Sequence, residues 1–104
     1  MSGVARDEEG YLLDLADWSE AVAHDIALEE GISLDASHWE ILHALRAFHA
    51  QFGLSPAMRP LCKYLKERLG ADKATSIYLL QRFPGSPAKL AAKIAGLPKP
   101  DNCL

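Results

Sequence analysis

Only two cysteines, Cys62 and Cys103, occur in the 104 residues. With one of them next to last, they do not form a disulfide framework, and their scarcity suits a reducing compartment. No apolar stretch approaches the roughly 20 residues that a membrane span needs. Residues 1–10 are polar and charged rather than signal-like, so a cytoplasmic protein is expected. There is no glycine-rich phosphate loop, no G-x-S-x-G elbow, no internal repeat and no low-complexity tract. The four histidines His24, His38, His43 and His49 include no i, i+4 pair and have no cysteine at zinc-site spacing, so no metal is expected.

The chain has 49% hydrophobic and 24% charged residues, which fits one domain with a single modest core. Its net charge of −3 conceals a division. Residues 1–55 carry two basic side chains against eleven acidic ones, and residues 56–104 carry nine against three. Such polarity suggests a surface for an acidic protein face or for phosphates, with ordinary solvated charge as the alternative.

From Asp17 onward the sequence predicts five helices. Asp17 is an N-cap candidate with Glu20 three residues on, followed by the stripe Trp18, Val22, Ile26 and the stop Gly31. Asp35 caps a second helix reaching about Gln51, its apolar face built from Trp39, Ile41, Leu42, Leu45, Phe48 and Phe52. Ser55 and Pro56 read as N-cap and first residue of a third helix, striped by Met58, Leu61, Cys62, Leu65 and Leu69, in which Pro60 should cost a bond or shift the start. A fourth helix, about Asp72 to Arg82, is expected to turn Ile77, Tyr78 and Leu80 inward. Ser86 and Pro87 open a fifth that packs Leu90 and Ile94 and ends at Ala95 before Gly96. A short β-hairpin around Glu9-Gly10 is expected ahead of them. Residues 1–95 therefore read as one helical domain and residues 96–104 as an arm.

Pro98 and Pro100 lack backbone donors and bias their predecessors toward extended conformations. The arm from Gly96 is thus expected to be loose and polyproline-like, carrying the Cys103 sulfur up to about 20 Å from the body. A mobile carrier of sulfur and an incidental thiol on a frayed end are both consistent with that placement. Cys62, within the third helix's stripe, reads as a small core hydrophobe. Lys89, Lys93 and Lys99 stand where they could offset the α-carboxylate and Asp101 near Cys103, or simply solvate the surface. The third and fourth helices form a helix-turn-helix-like unit whose Lys73, Thr75, Ser76, Gln81 and Arg82 could meet DNA, a weak signal given the acidic first half.

Across nearly the whole chain the sequence resembles the TusE/DsrC family of small sulfur carriers. The likeness rests on Glu9-Gly10-Tyr11-Leu12, Trp18-Ser19, Glu30-Gly31-Ile32-Ser33-Leu34, His38-Trp39-Glu40, Ser55-Pro56-Ala57-Met58-Arg59, Phe83-Pro84 and Gly85-Ser86-Pro87-Ala88-Lys89. Its most specific block is Lys93-Ile94-Ala95-Gly96-Leu97-Pro98-Lys99-Pro100 followed by the penultimate Cys103. The resemblance implies a mainly α fold with an N-terminal hairpin and a flexible C-terminal arm. DsrC proteins carry a second arm cysteine where this chain has Ala92, so the pattern fits the TusE branch. That branch implies a transient persulfide on Cys103 and no other cofactor, a TusBCD-like donor complex, and an MnmA-like tRNA 2-thiouridylase as acceptor. Arg59, Arg82, Lys89, Lys93 and Lys99 are then candidates for docking those partners. The alternative is a DsrC-like regulatory or DNA-binding protein.

Overall fold

The computed structural model describes residues 4–100. Cys103 and the rest of residues 101–104 lie outside the described residues. Five α-helices follow a short hairpin turn: α1 (Glu20–Glu29), α2 (Ala36–Phe52), α3 (Met58–Leu69), α4 (Ser76–Arg82) and α5 (Pro87–Ile94). The fold is mainly helical, and its β content among the described residues is one antiparallel bridge, Arg6 to Leu12. That hairpin closes because the Asp7 carboxylate accepts from the Glu9 and Tyr11 N–H groups, each at 2.9 Å. Gly10 turns the chain at φ +92°.

Helix α1 starts later than the sequence suggests. Asp17 ends a 3-10 turn, Leu15–Asp17, and the Ser19 side chain caps α1 by accepting from Val22 N–H. Trp18 is thereby removed from the helical stripe, for a reason that appears below. Val22, Ala23, Ile26 and Ala27 face the core, and Gly31 at φ +77° reverses the chain after the last turn. Helix α2 is the central element, burying Ile41, Leu42 and Leu45 completely, each burial worth roughly 1.5–3 kcal/mol. Phe52, expected on this buried face, is exposed instead because it falls at the last helical turn, beyond the core.

Helix α3 begins at Met58 with Ala57 in the N-cap position and no side-chain cap, so Ser55 is not its N-cap and Pro56 not its first residue. Pro60 is the third helical residue, where the N–H has no intrahelical partner in any case, and costs no bond. A 3-10 turn, Ala71–Lys73, separates α3 from α4, so Asp72 lies outside α4, which is capped by Thr75. In this seven-residue helix Leu79 is the core residue, while Ile77 and Leu80, expected inward, are exposed. Helix α5 packs on α1, α2, α3 and α4, with Ala91, Ala92 and Ile94 buried among them. Its alanines permit that close approach from several sides.

At the head of α2 the Asp35 carboxylate accepts from the Ser37 hydroxyl at 2.5 Å and from the Ser37 and His38 N–H groups, while the Asp35 N–H donates to His38 Nδ1. These donors, Ser37 first and His38 second, hold the Asp35 carboxyl well below the usual carboxylate range. Because the folded pKa is depressed, the cap's contribution is present above the unfolded carboxylate pKa and fades as pH falls below about 4. Asp35→Asn keeps a capping oxygen but does not titrate. The variant is expected to lose less melting temperature than wild type between pH 5 and pH 3; equal losses would show that Asp35 does not govern this acid limb.

Candidate functional site

The site is the root of the segment that leads to Cys103, and it is built on the C-terminus of α5. A helix end leaves its last carbonyls without intrahelical partners. Here each of the last four is satisfied. Ala92 accepts from Leu97 N–H at 2.9 Å and Lys93 from Gly96 N–H at 3.1 Å, a Schellman closure made possible by Gly96 at φ +74°. Ile94 accepts from the Trp18 indole N–H at 2.9 Å, and Ala95 from the Arg46 guanidinium at 2.6 Å. The Arg46 cation lies 4.2 Å from the centroid of the Trp18 ring, at the negative end of the helix dipole. Burial lowers the Arg46 pKa from its usual value, but a guanidinium remains charged.

Beyond the helix the chain stays attached. Leu97 is only 1% exposed, Pro100 is buried, and the Ser55 hydroxyl donates to the Pro98 carbonyl at 2.5 Å. Thus Gly96–Pro100, expected to run loose from Gly96, is packed on the body, because Leu97 completes the Schellman turn and Ser55 holds Pro98. Three residue steps lead from Pro100 to Cys103. They span about 10 Å when extended, half of the reach expected from a pivot at Gly96.

The docking candidates divide in two. Lys93 pairs with Glu30 at 3.1 Å, Lys99 with Glu9 at 2.9 Å, and Arg82 lies 3.6 Å from the centroid of the Tyr78 ring while donating to the Ser37 hydroxyl. Lys73 likewise pairs with Glu40 at 3.0 Å, which raises the lysine's pKa. Three of the nine cations of residues 56–104, Lys73, Lys93 and Lys99, are thus paired with carboxylates of residues 1–55. Arg59 is exposed, and Lys89, half-buried beside Glu9 and Tyr11, contributes its carbonyl to the Tyr11 hydroxyl at 3.1 Å. Of the two thiols, Cys62 is partly buried against the core, and desolvation pushes its pKa up.

Comparison with known proteins accounts for this architecture. The family model described as "DsrC like protein" matches residues 2–104. The chain belongs to the DsrC-like family. Among curated relatives, "Sulfurtransferase TusE" of Sodalis glossinidius is 50% identical over 101 residues, covering 97% of this chain and 94% of that protein. Its counterpart in Salmonella typhimurium is 48% identical at 97% and 93% coverage. Among solved structures, DsrC of Allochromatium vinosum superposes with a TM-score of 0.88 at 42% identity, covering 97% and 90% of the two chains. The oxidised γ-subunit of the dissimilatory sulfite reductase, DsrC, of Archaeoglobus fulgidus gives 0.83 at 37% identity, covering 97% and 92%.

In this DsrC-like chain the residues that organise the arm root are Trp18, Arg46 and Ser55, none of which stood out as a site residue in the sequence. A weak signal existed in Arg46, the lone cation of α2, placed on a helix whose other charged residue is Glu40. Ala92, at the position of the second arm cysteine of DsrC proteins, is fully buried in α5 and offers no sulfur. Helix α4 presents Ile77 and Leu80 to solvent and folds its one cation, Arg82, back onto Tyr78. Among the described residues no helix is long and apolar enough to cross a membrane.

Proposed function

We propose that this protein is a TusE-type persulfide carrier in which Cys103 bears the sulfur. The observation that carries the proposal is the contrast between its two thiols within a chain so similar to TusE sulfurtransferases. Cys62 is packed against the core with its thiolate disfavoured by burial, leaving the penultimate Cys103 as the thiol for exchange.

The step is thiol exchange. The Cys103 thiolate attacks the outer sulfur of a donor persulfide; the S–S bond of the donor breaks, the donor thiolate leaves, and Cys103 becomes a persulfide. The next protein's thiolate then attacks that outer sulfur and releases the Cys103 thiolate. No net oxidation occurs, and the carrier needs no general base or further cofactor. A TusBCD-like complex in the cytoplasm is the donor in this proposal. An MnmA-like thiouridylase, acting on the wobble uridine of tRNA, is the acceptor. Arg59 and Lys89, the docking candidates not held in ion pairs or ring stacks among the described residues, are the cations of the set best able to meet a partner.

Peptide mapping after incubation with a persulfide donor tests this. The added sulfur is expected on the peptide that contains Cys103. Its appearance on the Cys62 peptide, or on neither, would overturn the carrier function.

A further inference from the structure

Helix α3 holds cations that the rest of the fold does not use. Arg59, Lys63 and Lys66 are exposed and form no ion pair among the described residues, in contrast to Lys73, Lys93 and Lys99. Arg59 and Lys63 are one turn apart on the same face. Beside them, between the end of α2 and the start of α3, lies a groove of about 270 Å³ lined by Phe48, Phe52, Pro60, Lys63, Tyr64 and Glu67. Its aromatic wall is ordered by ring contacts, Phe48 to Phe52 at 4.6 Å and Phe48 to Tyr64 at 5.1 Å. Phe52 and Leu54 nonetheless expose 51% and 52% of their surface. Adjacent exposed apolar side chains at a turn are expensive to leave in water and are typical of an interaction site. An aromatic pocket with a cationic rim is the composition that concentrates binding energy at protein interfaces.

We propose that this groove is the docking seat of the sulfur-donor protein, taking one bulky apolar side chain of the donor ringed by carboxylates. The proposal rests on the carrier function above and names the surface that serves it. Location supports it: Leu54 directly precedes Ser55, whose hydroxyl holds Pro98 at the root of the sulfur arm. A donor seated on Phe52 and Leu54 thus stands beside Ser55 and Pro98, in the segment that leads to Cys103. Charge selects the donor over the acceptor. An enzyme that acts on tRNA needs cationic surface around its catalytic centre, which α3 would repel, whereas a donor handles no nucleic acid. Glu67, the one acidic group of the lining, is outnumbered on α3 by Arg59, Lys63, Lys66 and Arg68.

The experiment compares two routes of sulfur loading onto Cys103, from a persulfide-loaded TusBCD-type donor complex and from inorganic polysulfide. Phe52→Ala and Lys63→Glu, singly, are each expected to lower kcat/KM for the donor complex at least tenfold, chiefly through KM, and to leave polysulfide loading unchanged. Lys63→Arg should restore wild-type transfer. Because Lys63 is exposed, its reversal reads out even if Phe52→Ala fails to fold. Unchanged transfer from the complex in Lys63→Glu would overturn the docking seat while leaving the carrier function standing. Absence of polysulfide loading in the wild type would overturn the carrier function itself. Tight binding of tRNA that Phe52→Ala abolishes would reassign the groove to nucleic acid, and a dimer that Phe52→Ala disperses would reassign it to a second copy; either result overturns the proposal.

Discussion

Gly96→Ala is expected to destabilise the protein by about 2–5 kcal/mol, lowering the melting temperature by more than about 10 °C. Two costs combine at this position. The backbone sits at φ +74°, which costs an L-residue roughly 1–2 kcal/mol. An added Cβ would also fall 2.3 Å from Cδ1 and 2.7 Å from Cγ of Trp18, so the indole must move. Trp18 cannot yield cheaply, since its N–H satisfies the Ile94 carbonyl and its face carries Arg46. Overpacking of this kind typically costs 1–3 kcal/mol. Gly31 supplies the control, having a similar φ of +77° but nothing within 4 Å of a built Cβ. Denaturant titrations of both variants separate backbone strain from collision with the indole. If Gly96→Ala cost no more than Gly31→Ala, close packing of Trp18 on the arm root would be disproved.

Cys103→Ser is expected to abolish sulfur loading at neutral pH, at least a hundredfold below wild type, whereas Cys62→Ser should load within about twofold of wild type. The difference lies in thiolate supply. An ordinary cysteine is a few per cent thiolate at pH 7, and burial reduces that fraction for Cys62. Cys62 is also partly buried against the core, which restricts the access of a protein persulfide to it. Residual loading of Cys103→Ser should appear only as pH rises, when the Cys62 thiol begins to ionise. The Cys62→Ser variant should pay a modest stability penalty, about 1 kcal/mol, for placing a hydroxyl in that half-buried site. Intact-mass measurement across pH 6–9 checks both variants; substantial loading of Cys103→Ser at pH 7 would move the sulfur chemistry to Cys62.

Much of the helical frame was legible in the residues. Asp35, Pro87, Gly31 and Gly96 mark helix boundaries by local chemistry, and local chemistry decided them, although the Ser86 side chain makes no cap bond. Several of the errors share one cause, which is capture of a local signal by a distant partner. Asp17 and Ser19 are comparable N-caps in isolation, but Trp18 must lie outside α1 to reach Ile94, which leaves the cap to Ser19. Ser55 before a proline looks like a cap, yet its hydroxyl is taken by Pro98. Gly96–Pro100 carries every mark of a loose linker except Leu97, whose burial tightens the whole segment. Helix α4 failed differently, since seven residues give too few turns for periodicity to choose between Leu79 and its neighbours. Cys103 was singled out by position and resemblance alone.

The bonds that hold α5 and the arm root also set how the chain reaches its native state. Tyr11 to Lys89, Trp18 to Ile94, Arg46 to Ala95 and Ser55 to Pro98 join residues 78, 76, 49 and 43 positions apart. Closing such long loops costs entropy before any of these bonds forms, so this helical protein should fold more slowly than a bundle knit from neighbouring hairpins. Helix α5, which unites the other four, is thus the late and committing event of folding.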